Sequence, residues 1–125
     1  MDLEFDDKMP IYLQIMDHIK MDIATEKLKA NDKLPSVREM ATMLKVNPNT
    51  LQRAYQELER LGIVYTQRGM GTFVGERKHM IDDLKQEMAK EVIDSFILRM
   101  KRLGFSEEEI IWSISKNITE VNKHV

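Results

Sequence analysis

Ser36-Val37-Arg38-Glu39-Met40-Ala41-Thr42-Met43-Leu44-Lys45-Val46-Asn47-Pro48-Asn49-Thr50-Leu51-Gln52-Arg53-Ala54-Tyr55-Gln56-Glu57-Leu58 holds two helix starts separated by one short interruption. Ser36 and Glu39 have the spacing of a capping box. In that motif the serine hydroxyl accepts from the N–H of the third residue on, while the glutamate reaches back to the serine N–H. Val37, Met40, Ala41 and Leu44 then form a short apolar face. Lys45-Val46 breaks the period and Asn47-Pro48 restarts it. Asn47 suits an N-cap, and Pro48 suits the first turn, where its missing N–H would have no partner anyway. Leu51, Ala54, Tyr55, Leu58 and Leu61 supply the buried side of this helix, and Gly62 closes it as a left-handed cap. Two short helices joined by a tight turn make a helix-turn-helix, whose second helix can project into a major groove.

Outward from this centre, Ile63-Val64-Tyr65-Thr66 and Thr72-Phe73-Val74 are β-branched and aromatic runs. Gln67-Arg68-Gly69-Met70-Gly71 lies between them, with glycines where a hairpin needs unusual backbone angles. This predicts a wing. Upstream, Pro10 is expected at a first helical position, followed by an apolar stripe of Ile11, Ile15, Met16, Ile19 and Ile23. That helix should give out over 25–29, with a turn at Asn31-Asp32 and a very short strand at Lys33-Leu34 before Pro35.

Beyond Gly75 the pattern becomes two long helices. Ile81, Leu84, Met88, Val92, Phe96, Met100 and Leu103 mark the first, and Gly104 breaks it. Ser106 to Glu109 is a second capping box, opening a helix with Ile110, Ile111, Ile114, Ile118 and Val121 on one side. So small a helix pair cannot enclose its own core, and a second copy of the chain is the expected cover. The interface is expected to use Leu84, Met88, Val92, Phe96, Met100, Ile111, Trp112, Ile114 and Ile118. The expected fold is mainly α with a small β-hairpin wing. Residues 1–76 would form a winged helix-turn-helix DNA-binding domain, and 77–125 a two-helix dimerisation domain.

Composition narrows the function classes. With 42% hydrophobic and 32% charged residues, the 125-residue chain has the content of a globular protein and not of a disordered tail. It has no cysteine, which rules out disulfides and thiolate metal sites and fits a reducing cytoplasm. The acidic start Met1-Asp2-Leu3-Glu4-Phe5-Asp6-Asp7 is unlike a secretory signal, and no apolar run is long enough for a membrane span. A cytoplasmic location is expected. The net charge of −2 conceals an uneven distribution. Residues 1–32 carry 4 basic and 8 acidic side chains, residues 33–78 carry 8 and 4, and residues 79–125 carry 7 and 9. The net basic stretch coincides with the DNA-reading pattern, and local sign governs phosphate attraction. His18, His79 and His124 lack metal-ligand spacing. No nucleophile elbow, phosphate loop or acid/base pair is present, so neither enzymatic activity nor a cofactor or metal is expected.

Five linked segments resemble the GntR family of bacterial regulators. They are Pro10 to Ile15, Lys33 to Glu39, Val46 to Leu51, Arg53 to Glu59, and Arg68 to Val74. The short helical tail resembles the YtrA-like subfamily, which implies dimerisation through two C-terminal helices. The resemblance implies a homodimeric repressor on a palindromic, inverted-repeat operator in double-stranded DNA. It also implies a DNA-contacting role for Arg38. The tail has no room for a large effector domain, so an effector, whose identity is unknown, would sit between subunits or between reader and tail. Two departures stand out: Glu26 and Asn31 occupy positions where the family often has glycine. The first predicts a locally different end to the first helix.

Within this frame, Asn49, Gln52 and Arg53 lie at the N-terminal turns of the recognition helix, which reach base edges. Asn and Gln pair with adenine and Arg with guanine. Thr50 and Asn47 are assigned to phosphate, helped by free N–H groups at the helix start. Ser36 is explained by capping, with phosphate contact secondary. Arg68 at the wing tip is expected at the minor groove or a phosphate, with Gly69 and Gly71 permitting close approach. Thr66, Gln67 and Thr72 are weaker helpers, Gln56 and Arg60 suit a solvated face, and Lys45 and Arg77-Lys78 fit phosphate attraction and solvated charge equally. Two other functions fit the same pattern: a winged-helix module that binds protein, and a small-molecule sensor without operator binding.

Overall fold

The computed structural model describes residues 3–123. The first two residues of the acidic start, and His124, lie outside them. The order is α1 (Ile11–Ala24), α2 (Val37–Leu44), α3 (Pro48–Arg60), β1 (Val64–Gln67), β2 (Gly71–Val74), α4 (Met80–Arg102) and α5 (Glu107–Lys123). The chain divides into two compact units, Met1–Lys85 and Gln86–Val125. This division falls later than residue 76, because Met80 and Leu84 at the start of α4 are buried and belong to the first unit.

α3 is the hub of the first unit, packing on α1, α2 and β1. Ile15, Ile19 and Ile23 of α1, Met40 of α2, and Leu51, Ala54 and Leu58 of α3 are all fully buried. Each recurs at three- or four-residue steps, so each helix turns one apolar stripe to the common centre. Two expected core positions lie outside it. Ile11 is exposed at the start of α1, and Leu61 is exposed as the C-cap of α3. Pro10 stands one position earlier than expected, as the N-cap of α1.

The end of α1 departs from expectation in an instructive way. Glu26 takes φ 60° and Asn31 φ 68°, both left-handed. The helix therefore ends with the backbone a glycine would adopt, and not with a different one. For a glutamate this region is unfavourable by roughly 1–2 kcal/mol.

β1 and β2 pair antiparallel, with Val64 opposite Val74 and Gln67 opposite Gly71. The predicted short strand exists as an antiparallel bridge between Lys33 and Phe73. The Leu34 N–H donates to the Thr72 carbonyl at 2.8 Å, and the Val74 N–H to the Asp32 carbonyl at 2.8 Å. The link between α1 and α2 thus runs along the outer edge of the wing and satisfies its otherwise open backbone groups.

In the second unit, Ser106 caps α5 as its sequence predicts. The Glu109 N–H donates to Ser106 Oγ at 3.2 Å, and the Ser106 N–H to Glu109 Oε1 at 3.0 Å. Among the described residues of this unit only Ile110 is buried. Among the described residues no helix is long and apolar enough to cross a membrane.

Candidate nucleic-acid interface

Both halves of the helix-turn-helix are held by the caps their sequence specifies. At α2 the Glu39 N–H donates to Ser36 Oγ at 3.1 Å and the Ser36 N–H to Glu39 Oε1 at 3.4 Å. At α3 the Asn49 N–H donates to Asn47 Oδ1 at 2.8 Å, with Pro48 at the first helical position. The turn between them is made by Lys45, which takes φ 56° and ψ 47° as the C-cap of α2. Tyr55 fixes the angle between the two helices. Its hydroxyl donates to the Pro35 carbonyl at 2.7 Å, tying the residue before the Ser36 cap to the middle of α3. Burial, and then the Glu39 carboxylate, push this phenol well above its ordinary range, so it remains a donor.

With Leu51, Ala54, Tyr55 and Leu58 turned inward, Asn49, Gln52 and Arg53 are brought together on the exposed side of α3. Their spacing, three and four residues apart, puts them on one face. Gln56, expected on a solvated face, lies on this same exposed side one turn further. Arg60 is an exposed cation already engaged: its Nη2 lies 2.8 Å from Glu57 Oε2. Arg53 is held differently. Its guanidinium carbon lies 3.8 Å from the centroid of the Tyr12 ring on α1. Thr50 is half-buried, while Ser36, Arg38 and Asn47 are exposed.

The wing presents Arg68, Gly69 and Met70 at its tip, all exposed. Gly69 has φ 79°, and a Cβ there would meet nothing within 4 Å, so the residue is required by backbone angle and not by space. Gly71 has φ 126°, and a Cβ there would come within 2.8 Å of Lys33 Cε. The Lys33 stem therefore lies across Gly71 and adds a cation beside the wing. Thr66 Oγ1 donates to Glu59 Oε2 at 3.2 Å, fastening the wing to the end of α3.

Two further residues of this surface, Lys33 and Tyr12, are brought there only by tertiary packing. Lys33 stands in the predicted short strand, and only the pairing of that strand with Phe73 of β2 carries its side chain across Gly71. Tyr12 lies on a different helix from Arg53, and only the packing of α1 on α3 joins them.

Of the expected dimer contacts, Leu84 is 4% exposed and packed within its own chain. Met88 and Met100 are half-buried, whereas Val92, Phe96, Ile111, Trp112, Ile114 and Ile118 are exposed.

Residues 11–74 match the family model described as bacterial regulatory proteins, gntR family. The chain is 51% identical over 120 residues to the HTH-type transcriptional regulator YhcF of Bacillus subtilis, covering 96% of this chain and 98% of that protein. It is 42% identical over 102 residues to the transcriptional repressor YtrA of the same organism, covering 81% of this chain and 78% of that one. Among solved structures it resembles a GntR family transcriptional regulator from Listeria monocytogenes, with TM-score 0.83, 48% identity, and coverage of 90% of this chain and 98% of that one. It also resembles the DNA-binding domain of AraR in complex with an operator, with TM-score 0.53, 28% identity, and coverage of 60% and 90% respectively. With the helix-turn-helix, the wing and the matched segment in agreement, the chain belongs to the GntR family, as a non-enzymatic DNA-binding transcriptional regulator close to YhcF and YtrA.

Proposed function

We propose that the chain acts in the cytoplasm as a homodimeric repressor that occupies an inverted-repeat operator. The observation that carries the dimer is the uncovered apolar surface of Gln86–Val125. Val92 is 69% exposed, Leu103 73%, Ile111 65% and Trp112 64%. Phe96, Met100, Ile114 and Ile118 also line an open groove of about 360 Å³ between α4 and α5. Contiguous apolar surface of this kind marks an interaction site, and a second copy of the same helix pair offers a self-complementary cover. The C-terminal helices would then serve dimerisation and the winged helix-turn-helix reading.

A two-fold dimer presents two copies of α3 to two half-sites, and the linkage raises the effective concentration of the second reader. Asn49, Gln52 and Arg53 read base edges in the major groove, and Arg38 supports them from the first turn of α2. Asn47, Thr50 and the Ser36 hydroxyl meet phosphate. Arg68, presented by Gly69 and Gly71, contacts the minor groove or its phosphates. The operator in the AraR complexes supports the reader assignment for the related fold. Repression follows from occupancy of the promoter, as the name of the YtrA relative suggests.

Selection of bound fragments from random-sequence DNA, coupled to sedimentation equilibrium, tests the whole reading. A palindromic consensus bound by a species of twice the chain mass is the expected result. A strictly monomeric species, or a pool that never enriches, would overturn it. The affinity for the recovered duplex should also fall with salt at a log–log slope near −0.9 per phosphate contacted.

A further inference from the structure

We propose that Tyr12 is the positioning residue of the operator-reading face: its ring presents the Arg53 guanidinium to one base pair in each half-site. The proposal rests on the assignment of α3 as the recognition helix and adds to it a residue from α1. Tyr12 is half-buried on α1, the helix that packs on α3. The guanidinium carbon of Arg53 lies over that ring at 3.8 Å, which is van der Waals contact.

Three physical consequences follow. A guanidinium carbon 3.8 Å from the ring centroid leaves no room for an N–H aimed at the ring, so the contact uses the guanidinium face and leaves the N–H edge available. Docking onto a guanine therefore does not require the stack to be broken. The stack also restricts a side chain with large rotamer freedom, so less freedom is lost when the base contact forms. Finally, the attraction is to the ring and not to an opposite charge, so the cation stays un-neutralised for DNA. Arg60 on the same helix is the contrast: its guanidinium is bound edge-on by Glu57, with Nε at 3.1 Å and Nη2 at 2.8 Å from the same carboxylate oxygen. Among the described residues Arg53 thus combines an exposed position on the reading face with a rigid, uncharged support.

The test uses the full chain and the duplex recovered by selection from random-sequence DNA. Wild type, Tyr12→Phe, Tyr12→Leu, Arg53→Ala and the Tyr12→Leu/Arg53→Ala double variant are titrated against that duplex and against its single base-pair variants. Thermal unfolding and dimer mass serve as controls on the fold. Arg53→Ala is expected to weaken binding about tenfold and to flatten discrimination at one base pair per half-site. Tyr12→Leu should weaken binding roughly three- to tenfold and flatten discrimination at that same base pair. Tyr12→Phe, which keeps the ring, should behave as wild type. The double variant should bind no more weakly than Arg53→Ala alone, since the two residues act as one unit.

The proposal is overturned if the two losses multiply, if Tyr12→Leu weakens binding with discrimination intact, or if Tyr12→Phe is as damaging as Tyr12→Leu. Each of these leaves the recognition-helix reading standing. If Arg53→Ala changes neither affinity nor discrimination, the base-reading role of Arg53 falls and the role of Tyr12 with it. A pool that never enriches overturns the operator reading as a whole.

Discussion

The two compact units use apolar residues in opposite ways. In Met1–Lys85 one apolar stripe of each of α1, α2 and α3 is buried around Ile19, Met40, Leu51 and Leu58, while Ile11, Met21 and Met43 stay outside it. In Gln86–Val125 the equally periodic stripes of α4 and α5 remain open, with Val92, Leu103 and Ile111 mostly exposed. Helical periodicity is the same signal in both. It reports that a face is to be covered and says nothing about which chain supplies the cover. The first unit closes because three helices and a hairpin surround one centre. The second has two helices, too few to enclose a core.

That contrast is open to direct attack. The largest effect is expected from Leu51→Ala, which empties a fully buried position on α3. It should destabilise the chain by about 2–5 kcal/mol in denaturant unfolding. A cost well under 1 kcal/mol would show that the first unit is loosely packed. Phe96→Asp is the complementary probe, since it puts a charge on the groove lined by Ile114 and Ile118. Self-association should weaken by about 2 kcal/mol or more in sedimentation equilibrium, with the fold of the first unit unchanged by circular dichroism. An unchanged dimer would mean that the open stripes are not its interface.

Smaller effects sharpen the picture within each unit. Arg38→Ala should weaken operator binding by about 1–3 kcal/mol in a fluorescence-anisotropy titration, and the dimer mass should not move. Glu26→Gly relieves a left-handed non-glycine residue and should raise stability by about 1 kcal/mol, read as a higher melting temperature. A drop would mean that the Glu26 side chain offsets its backbone strain.

The smallest effect is at the start of α5. Hydrogen bonding to Ser106, chiefly its backbone N–H and then its hydroxyl, holds the Glu109 carboxyl below the usual carboxylate range. A depressed folded pKa means that this support is fully present above the ordinary carboxylate pKa. It is lost as pH falls through the depressed value. Amide exchange in the first turn of α5 should therefore accelerate in acid, and Ser106→Ala, which keeps the backbone N–H and loses only the hydroxyl, should reduce this pH dependence without abolishing it.

The elements most legible in the chain are those whose cause lies within a few residues. Ser36 with Glu39, and Ser106 with Glu109, are three positions apart, so the capping boxes follow from local reach. Asn47-Pro48 and the glycines of the wing act through their own backbone requirements in the same way. The polar face of α3 is equally legible, since the inward positions of Leu51, Ala54, Tyr55 and Leu58 leave one side for Asn49, Gln52 and Arg53.

The features that local sequence does not foretell have a partner far along the chain or a backbone that overrides a side-chain preference. Glu26 adopts the left-handed angle despite its side chain, because the chain must turn there to bring 31–34 against β2. Leu84 continues the stripe of α4 but is consumed by burial before the open surface begins. Local chain chemistry is sufficient for the helices, their ends, the hairpin and the polar side of α3, because capping, glycine angles and apolar period act over one or two turns. The support of Arg53 by Tyr12, the placement of Lys33 across Gly71 and the tie from Tyr55 to Pro35 arise only when separate elements pack. Contacts of that kind depend on distances in space that no spacing along the chain encodes.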